Sequence, residues 1–160
     1  MKTYIEENFD YIYNEYSHHL YNIAYGYTLN KEDALDVIQN TFLKLLRVNK
    51  DFKNFDDIKY YLIRITINES LDLLKSNYKN KIVLNDALVM NSSTMIEEEN
   101  IDITLAVEKL PVKYKTVIIL HYYDFMPIKD IARSLNISEG AVKKRLERAR
   151  KGLKEYLERN

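Results

Sequence analysis

Seven basic side chains, Lys143, Lys144, Arg145, Arg148, Arg150, Lys151 and Lys154, lie between Ser138 and Lys154, opposed there only by Glu139 and Glu147. Val142, Leu146 and Ala149 recur among them at steps of four and three, the spacing of one buried helical face, so the basic residues cover the remaining faces. The chemistry open to such a helix is neutralisation of phosphates, with residues near its start, Ser138 and Glu139, placed to meet base edges. Just upstream, Ile131, Ala132 and Leu135 form the apolar face of a shorter helix, and Ala132 is small where two helices would cross. Asn136 falls at the turn, where a left-handed backbone is needed and Asn is the best non-glycine choice. Ile137 closes the core and Ser138 suits the N-cap of the basic helix. Residues 128–152 therefore read as a helix-turn-helix pattern with a basic second helix, expected to bind nucleic acid, with a solvated amphipathic helix pair as the alternative for this segment alone.

Other chemistries find few residues. Absence of Cys excludes disulfides and thiolate metal sites. The three His are His18, His19 and His121; the adjacent pair faces two sides of one helix, and no carboxylate cluster accompanies it. No metal, cofactor or nucleophile geometry is expected, and an enzyme is disfavoured.

The elements that position the basic helix follow from composition and period. Hydrophobic residues make up 46% of the 160, enough for folded cores, while only 3 Gly and 2 Pro with few alternating β-branched runs favour an all-α protein. Ile5, Phe9, Ile12, Tyr16, Leu20, Ile23 and Tyr27 define a first amphipathic helix. Asn30 is a credible N-cap for a second, running from Lys31 to about Val48 with Ala34, Val37, Ile38, Phe42 and Leu45 inward. Lys50 to Phe55 forms a loop, and a third helix runs from Asp56 or Asp57 to about Asn77 with Ile58, Leu62, Ile65, Leu71 and Leu74 inward. Periodicity then fades, and Asn91 to Glu99 has the polar and acidic composition of a flexible linker. Order resumes near Thr104 with Leu105, Val107 and Leu110; Pro111 suits the first position of a helix in which Val112, Val117, Ile118 and Leu120 pack beneath the helix-turn-helix.

Charge follows the same partition. Residues 1–80 carry 10 basic and 12 acidic side chains, residues 81–103 carry 1 and 5, and residues 104–160 carry 13 and 7. The expected architecture is two small helical domains, 1–79 and 104–160, joined by an acidic linker at 80–103, the second being a four-helix domain. No apolar stretch approaches the ~20 residues of a membrane span, and the first ten residues are polar and acidic, so a cytoplasmic location is expected.

Two polar stretches in the first domain exceed what a simple bundle requires. In DVIQNTF, Asp36, Gln39, Asn40 and Thr41 precede Phe42, a polar and amide surface suited to docking a helix of another protein. In the third helix Arg64, Asn68, Asp72 and Lys75 share a face that starts at Tyr60 and Tyr61. Aromatics, a cation and amides in one strip suit unstacked bases.

In this order, DxxQxTF, FDDIKYYLIRIxxNxxxD, an acidic linker and LPxKYKxVxxLHYYDFMPIKDIAxSLNISEGAVKKRL resemble the extracytoplasmic-function group of bacterial sigma factors over nearly the whole chain. The resemblance implies that Asp36, Gln39, Asn40 and Phe42 dock on core RNA polymerase. It implies that Asn49, Lys50, Lys53, Asn54, Tyr61, Arg64 and Asn68 recognise and melt the minus-ten promoter element. It further implies that Ser138, Glu139, Lys143, Lys144, Arg145 and Arg148 read the minus-thirty-five element, and that an anti-sigma factor, often membrane-bound, regulates the protein. Two departures stand out: Asn40 replaces the usual Glu and removes a charge from the polymerase contact, and Tyr61 replaces a frequent Trp. A conventional helix-turn-helix regulator with a sensing or dimerising N-terminal domain is the competing reading; it predicts a palindromic operator and no need for polymerase.

Overall fold

The computed structural model describes residues 1–83 and 101–159. The chain divides into two compact units, Met1–Ser93 and Thr94–Asn160, and no strand occurs among the described residues. The expected acidic linker falls mainly outside those residues.

The first unit is a three-helix bundle of α1 (Tyr4–Thr28), α2 (Lys31–Arg47) and α3 (Phe55–Val83), each packed on the other two. Thr3 caps α1, its Oγ1 accepting from the Glu6 N–H at 3.2 Å. The helix stops at Leu29, whose backbone is left-handed (φ 53°) and whose N–H donates to the Tyr25 carbonyl. Asn30 then caps α2, its Oδ1 accepting from the Asp33 N–H at 3.0 Å. Glu32 and Asp33 in the first turn of α2, with Lys44 and Arg47 in the last, complement its dipole. The expected core of α1 and α2 is buried: Ile5, Ile12, Tyr16, Leu20, Ile23 and Tyr27 meet Ala34, Val37, Ile38, Phe42 and Leu45. Phe9, expected among them, is only half-buried.

On α3 the observed face differs from the periodic expectation. Ile58 and Leu62 are buried, but Ile63, Thr66, Ile67 and Ser70 complete the face, while Ile65, Leu71 and Leu74 are half-buried. Hydroxyls take core positions because each can donate back to the carbonyl one turn earlier: Thr66 to Leu62 at 2.8 Å and Ser70 to Thr66 at 2.7 Å. Thr41 does the same on α2, donating to Val37 at 2.8 Å, and its oxygen lies 3.4 Å from that of Thr66 across the helix contact. Helix α3 continues to Val83 rather than ending near Asn77.

The second unit contains α4 (Ile101–Lys109), α5 (Val112–Ile118), a π-helical turn (Ile119–Tyr123) continuing α5, α6 (Ile128–Leu135) and α7 (Glu139–Arg159). Helices α4, α5 and α6 all pack on α7, and the buried set includes Ala106, Val107, Val117 to Leu120, Ile131, Ala132, Val142, Leu146 and Ala149. Pro111 precedes α5 as its cap, its carbonyl accepting from Lys115 N–H at 2.9 Å. The helix therefore starts one position later than expected; Val117, Ile118 and Leu120 are buried as expected, and Val112 is exposed rather than packed. Leu105 is likewise exposed, with Thr104 and Ala106 turned inward.

Candidate functional site

The helix-turn-helix is built as its residues dictate. Asn136 ends α6 in the left-handed conformation (φ 57°, ψ 45°) and its N–H returns to the Ala132 and Arg133 carbonyls. Ser138 Oγ accepts from the Ala141 N–H at 3.0 Å, which starts α7 at Glu139. With Val142, Leu146 and Ala149 buried, Lys143, Lys144, Glu147, Arg148 and Lys151 are exposed, and all lie toward one side of α7. Glu139 is exposed at the first turn, whereas Arg145 is half-buried at the edge of the basic face. Arg150, counted in sequence with the outward cations, is engaged within the unit: its Nε donates to the Tyr122 hydroxyl at 2.8 Å and its guanidinium lies 5.7 Å from that ring. Lys115 is buried beneath this assembly, where desolvation lowers its pKa despite the opposing pull of Glu108.

One turn before the helix-turn-helix, Met126 N–H donates to the Leu120 carbonyl at 3.0 Å, and His121 Nδ1 donates to the Met126 carbonyl at 3.0 Å. These two bonds pin a tight loop whose apex, Phe125, has φ 56° and is 82% exposed.

In the first unit, Asp36, Gln39 and Asn40 are exposed on the outer face of α2. Phe42 turns inward, 4% exposed, with its ring 5.8 Å from Phe9 and 4.9 Å from Tyr13. Thr41, grouped with the polar surface in sequence, is fully buried and belongs to the α2–α3 contact. Gln39 and Phe42 also line an α1–α2 groove of about 610 Å³, together with Tyr13, Leu35, Leu43 and Leu46 among others. Leu35, Leu43 and Leu46 are exposed along it. Their spacing of eight and three marks a second apolar stripe on α2, visible in the sequence but not recognised beside the stronger core stripe.

The loop from Val48 to Asn54 brings together three side chains. Lys50 Nζ lies 5.5 Å from the centroid of Phe52 and 5.3 Å from that of Tyr61, and the two rings meet edge to face at 5.3 Å. Contacts of this kind contribute about 0.5–1 kcal/mol at exposed sites. Tyr61, Arg64 and Asn68 follow one stripe of α3; Asn68 is exposed and the other two are half-buried. Asn49 and Lys53 are exposed. Asn54 has a structural duty, since its Oδ1 caps α3 by accepting from the Asp57 N–H at 2.9 Å. Phe52 is the residue that sequence reasoning passed over, because a lone aromatic in a short loop has no period to betray its contact. Lys44 pairs with Glu69 and joins α2 to α3; that hydrogen bond raises the Lys44 pKa.

A helix-turn-helix with an outward basic face thus follows a three-helix bundle that carries a polar helix face and a cation–aromatic loop. Models of two families match these parts: "Sigma-70 region 2" covers residues 12–80 and "Sigma-70, region 4" covers residues 101–153. RNA polymerase sigma factor SigV of Bacillus subtilis is 29% identical over 132 residues, 82% of this chain and 80% of that protein. The ECF RNA polymerase sigma factor SigW of the same organism is 29% identical over 162 residues, 89% of this chain and 84% of that protein. The structure of CnrH in complex with the cytosolic domain of CnrY shares the fold, with a TM-score of 0.67 at 23% identity over 95% of this chain and 88% of that one. Two sigma-70 regions in this order, covering more than half the residues, show that the chain belongs to the sigma-70 family, as an alternative sigma factor of the extracytoplasmic-function group that directs RNA polymerase to promoters.

Proposed function

We propose that initiation is divided between the two units, with residues 1–79 docking on core polymerase and opening the minus-ten element, and residues 104–160 holding the minus-thirty-five element. Residues 80–103 serve as the tether. Asp36, Gln39 and Asn40 dock against the polymerase from the exposed face of α2, with Phe42 supporting that face from within. Asn49, Lys50, Lys53, Tyr61, Arg64 and Asn68 take the opened strand, and Asn54 fixes the start of α3 beneath them. Ser138, Glu139, Lys143, Lys144 and Arg148 address the upstream duplex, with Arg145 at the margin.

The observation that carries this division is the separation of chemistries. The basic face of α7 suits a phosphate-lined groove, whereas the amide-bearing face of α2 suits directional bonds to a protein. Two weak promoter contacts on one tether gain affinity through effective concentration when both elements are correctly spaced. Unstacking a base costs a few kcal/mol, and binding the single strand after opening shifts the melting equilibrium to offset it.

Action is by binding rather than by catalysis, in the cytoplasm where polymerase works; no described helix is long and apolar enough to cross a membrane. A regulatory protein partner is part of the proposal. CnrH, similar in fold, was solved with the cytosolic domain of CnrY, and the α1–α2 groove offers exposed apolar surface beside Gln39. Such a partner, an anti-sigma factor, would compete with polymerase for the α2 face.

Run-off transcription with purified core polymerase on a genomic promoter pool tests the proposal. Specific transcripts should require both components, and sharing of minus-thirty-five and minus-ten elements among the selected promoters is expected. Tight, palindromic operator binding by the isolated chain would favour a conventional regulator instead.

A further inference from the structure

Two apolar features are left open by the packing of their own units, one convex and one concave. The convex one is the loop before α6, where the Met126–Leu120 and His121–Met126 bonds hold Phe125 in the left-handed region. Backbone strain of this kind clusters at sites that hold a ligand. Phe125 is 82% exposed and Tyr122, three residues earlier, is 48% exposed. Arg150 stands beside Tyr122, and Lys129 is exposed in the first turn of α6. The concave feature is the α1–α2 groove of about 610 Å³. Tyr13, Leu35, Leu43 and Leu46 line it and are all exposed, and Glu32 and Asp36 are exposed within a turn of Leu35.

We infer that the groove of one copy seats Phe125 of a second copy of this chain. The ring meets an apolar lining, and the cations beside it, Lys129 and Arg150, meet the carboxylates beside the groove, Glu32 and Asp36. Whole-unit charge agrees, with 10 basic and 12 acidic side chains in residues 1–80 against 13 and 7 in residues 104–160. A knob and a groove on different parts of one chain make a heterologous contact. Two aromatic rings bury about 150–250 Å² apiece, well below the roughly 1,200 Å² of a stable specific interface. The association is therefore weak and reversible. Gln39 lines the same groove, so a seated copy covers part of the α2 face assigned to polymerase and holds the free chain in reserve. That consequence rests on the assignment of the α2 face; the contact between copies does not.

The test is sedimentation velocity of the full chain over about a hundredfold range of concentration. The wild type should sediment faster as concentration rises. Phe125→Asn, which relieves the left-handed backbone, and Leu43→Lys, on exposed surface, should each weaken the association by about tenfold or more. Unfolding midpoints establish that both variants fold. Mixing the two should restore association, because the first keeps a groove and the second keeps a knob; a merely structural effect of either substitution would give no such rescue. A wild-type sedimentation coefficient independent of concentration overturns the inference, and so does a mixture that fails to associate. Equimolar core polymerase should then leave one copy in each holoenzyme. Two copies in each holoenzyme would support the contact and overturn the assignment of the α2 face to polymerase, so the two failures are told apart.

Discussion

The Tyr16 hydroxyl donates to the main-chain carbonyl of Phe55 at 3.2 Å, tying the middle of α1 to the first residue of α3. The Phe55 ring completes the clamp, 4.8 Å from Tyr11 and 5.8 Å from Tyr4. Position along α3 is thereby fixed relative to α1, and with it the place of Tyr61, less than two turns further along. Burial, followed by the charges of Tyr11, Asp56, Glu15 and Tyr4, pushes the Tyr16 pKa up to about 12.

That shift makes an alkaline prediction with a definite sign. The folded chain holds the Tyr16 proton more tightly than the unfolded chain, whose pKa is near 10.0. Its contribution to stability is complete below pH 10 and is lost as pH rises toward 12. Tyr16→Phe forgoes the hydrogen bond, at about 1 kcal/mol near neutrality, but has no proton to lose. Urea midpoints measured from pH 9 to 12 should fall more steeply for wild type than for Tyr16→Phe. Parallel profiles would show that Tyr16 has the same pKa in the folded and the unfolded chain.

Gln39 and Thr41, two residues apart, should separate docking from folding. Gln39 is exposed on the proposed polymerase face, whereas Thr41 is buried against Thr66. Gln39→Ala should leave the unfolding midpoint within about 0.5 kcal/mol of wild type and lower affinity for core polymerase several-fold. Thr41→Val should cost about 1 kcal/mol of stability, from the absent hydroxyl bond, with polymerase affinity unchanged. Pull-down and equilibrium unfolding on both variants check the contrast; equal polymerase loss from both would place the docking surface elsewhere.

The bundle was legible where apolar residues alone define a face, with Phe9 of α1, half-buried, the exception. On α2, Ala34, Val37, Ile38, Phe42 and Leu45 are all buried, as their spacing requires. On α3 the period misled because Thr66 and Ser70 occupy core positions with their hydroxyls bonded to their own helix, which a polar letter in the sequence conceals. Asn136 and Ser138 were readable because each has a local task, a left-handed turn and a cap, that few residue types perform. Phe52 was not, since its partner Tyr61 is reached only when the loop folds back onto α3. The same limit applied to Arg150, whose partner Tyr122 is 28 residues away.

The basic face of α7 should show its role in salt dependence. Lys143 and Lys144 are exposed, and removing one cation that meets a phosphate should reduce the slope of log K against log salt by about 0.9 on duplex DNA. Lys143→Ala with Lys144→Ala should therefore flatten that slope by about 2 for minus-thirty-five DNA bound by holoenzyme, with core-polymerase affinity retained. Arg150→Met is the matched control: it removes the charge together with the Nε bond to Tyr122. It should leave the slope alone and lower stability by up to about 1 kcal/mol. A flatter slope in Arg150→Met would instead put Arg150 on the DNA.

Phe125 and Asn136 make opposite use of the same left-handed backbone, at φ 56° and φ 57°. Asn tolerates this conformation through its short polar side chain, while a residue with a bulky Cβ substituent costs roughly 1–2 kcal/mol there. Leu29 shares the conformation but is half-buried, so packing offsets part of its strain. The Phe125 ring, 82% exposed, gains little within its unit. Phe125→Asn should therefore stabilise the second unit by about 1 kcal/mol, a rise of roughly 4–8 °C in midpoint for a domain of 60–100 residues. Asn136→Leu should destabilise it by a similar amount. Calorimetry of the full chain measures both. A fall in midpoint for Phe125→Asn would mean that the ring makes stabilising contacts exceeding the strain. A rise accompanied by weaker promoter-dependent transcription would mean that the strained residue is retained for contact with polymerase or DNA, because relief of strain alone gives no reason for function to fall.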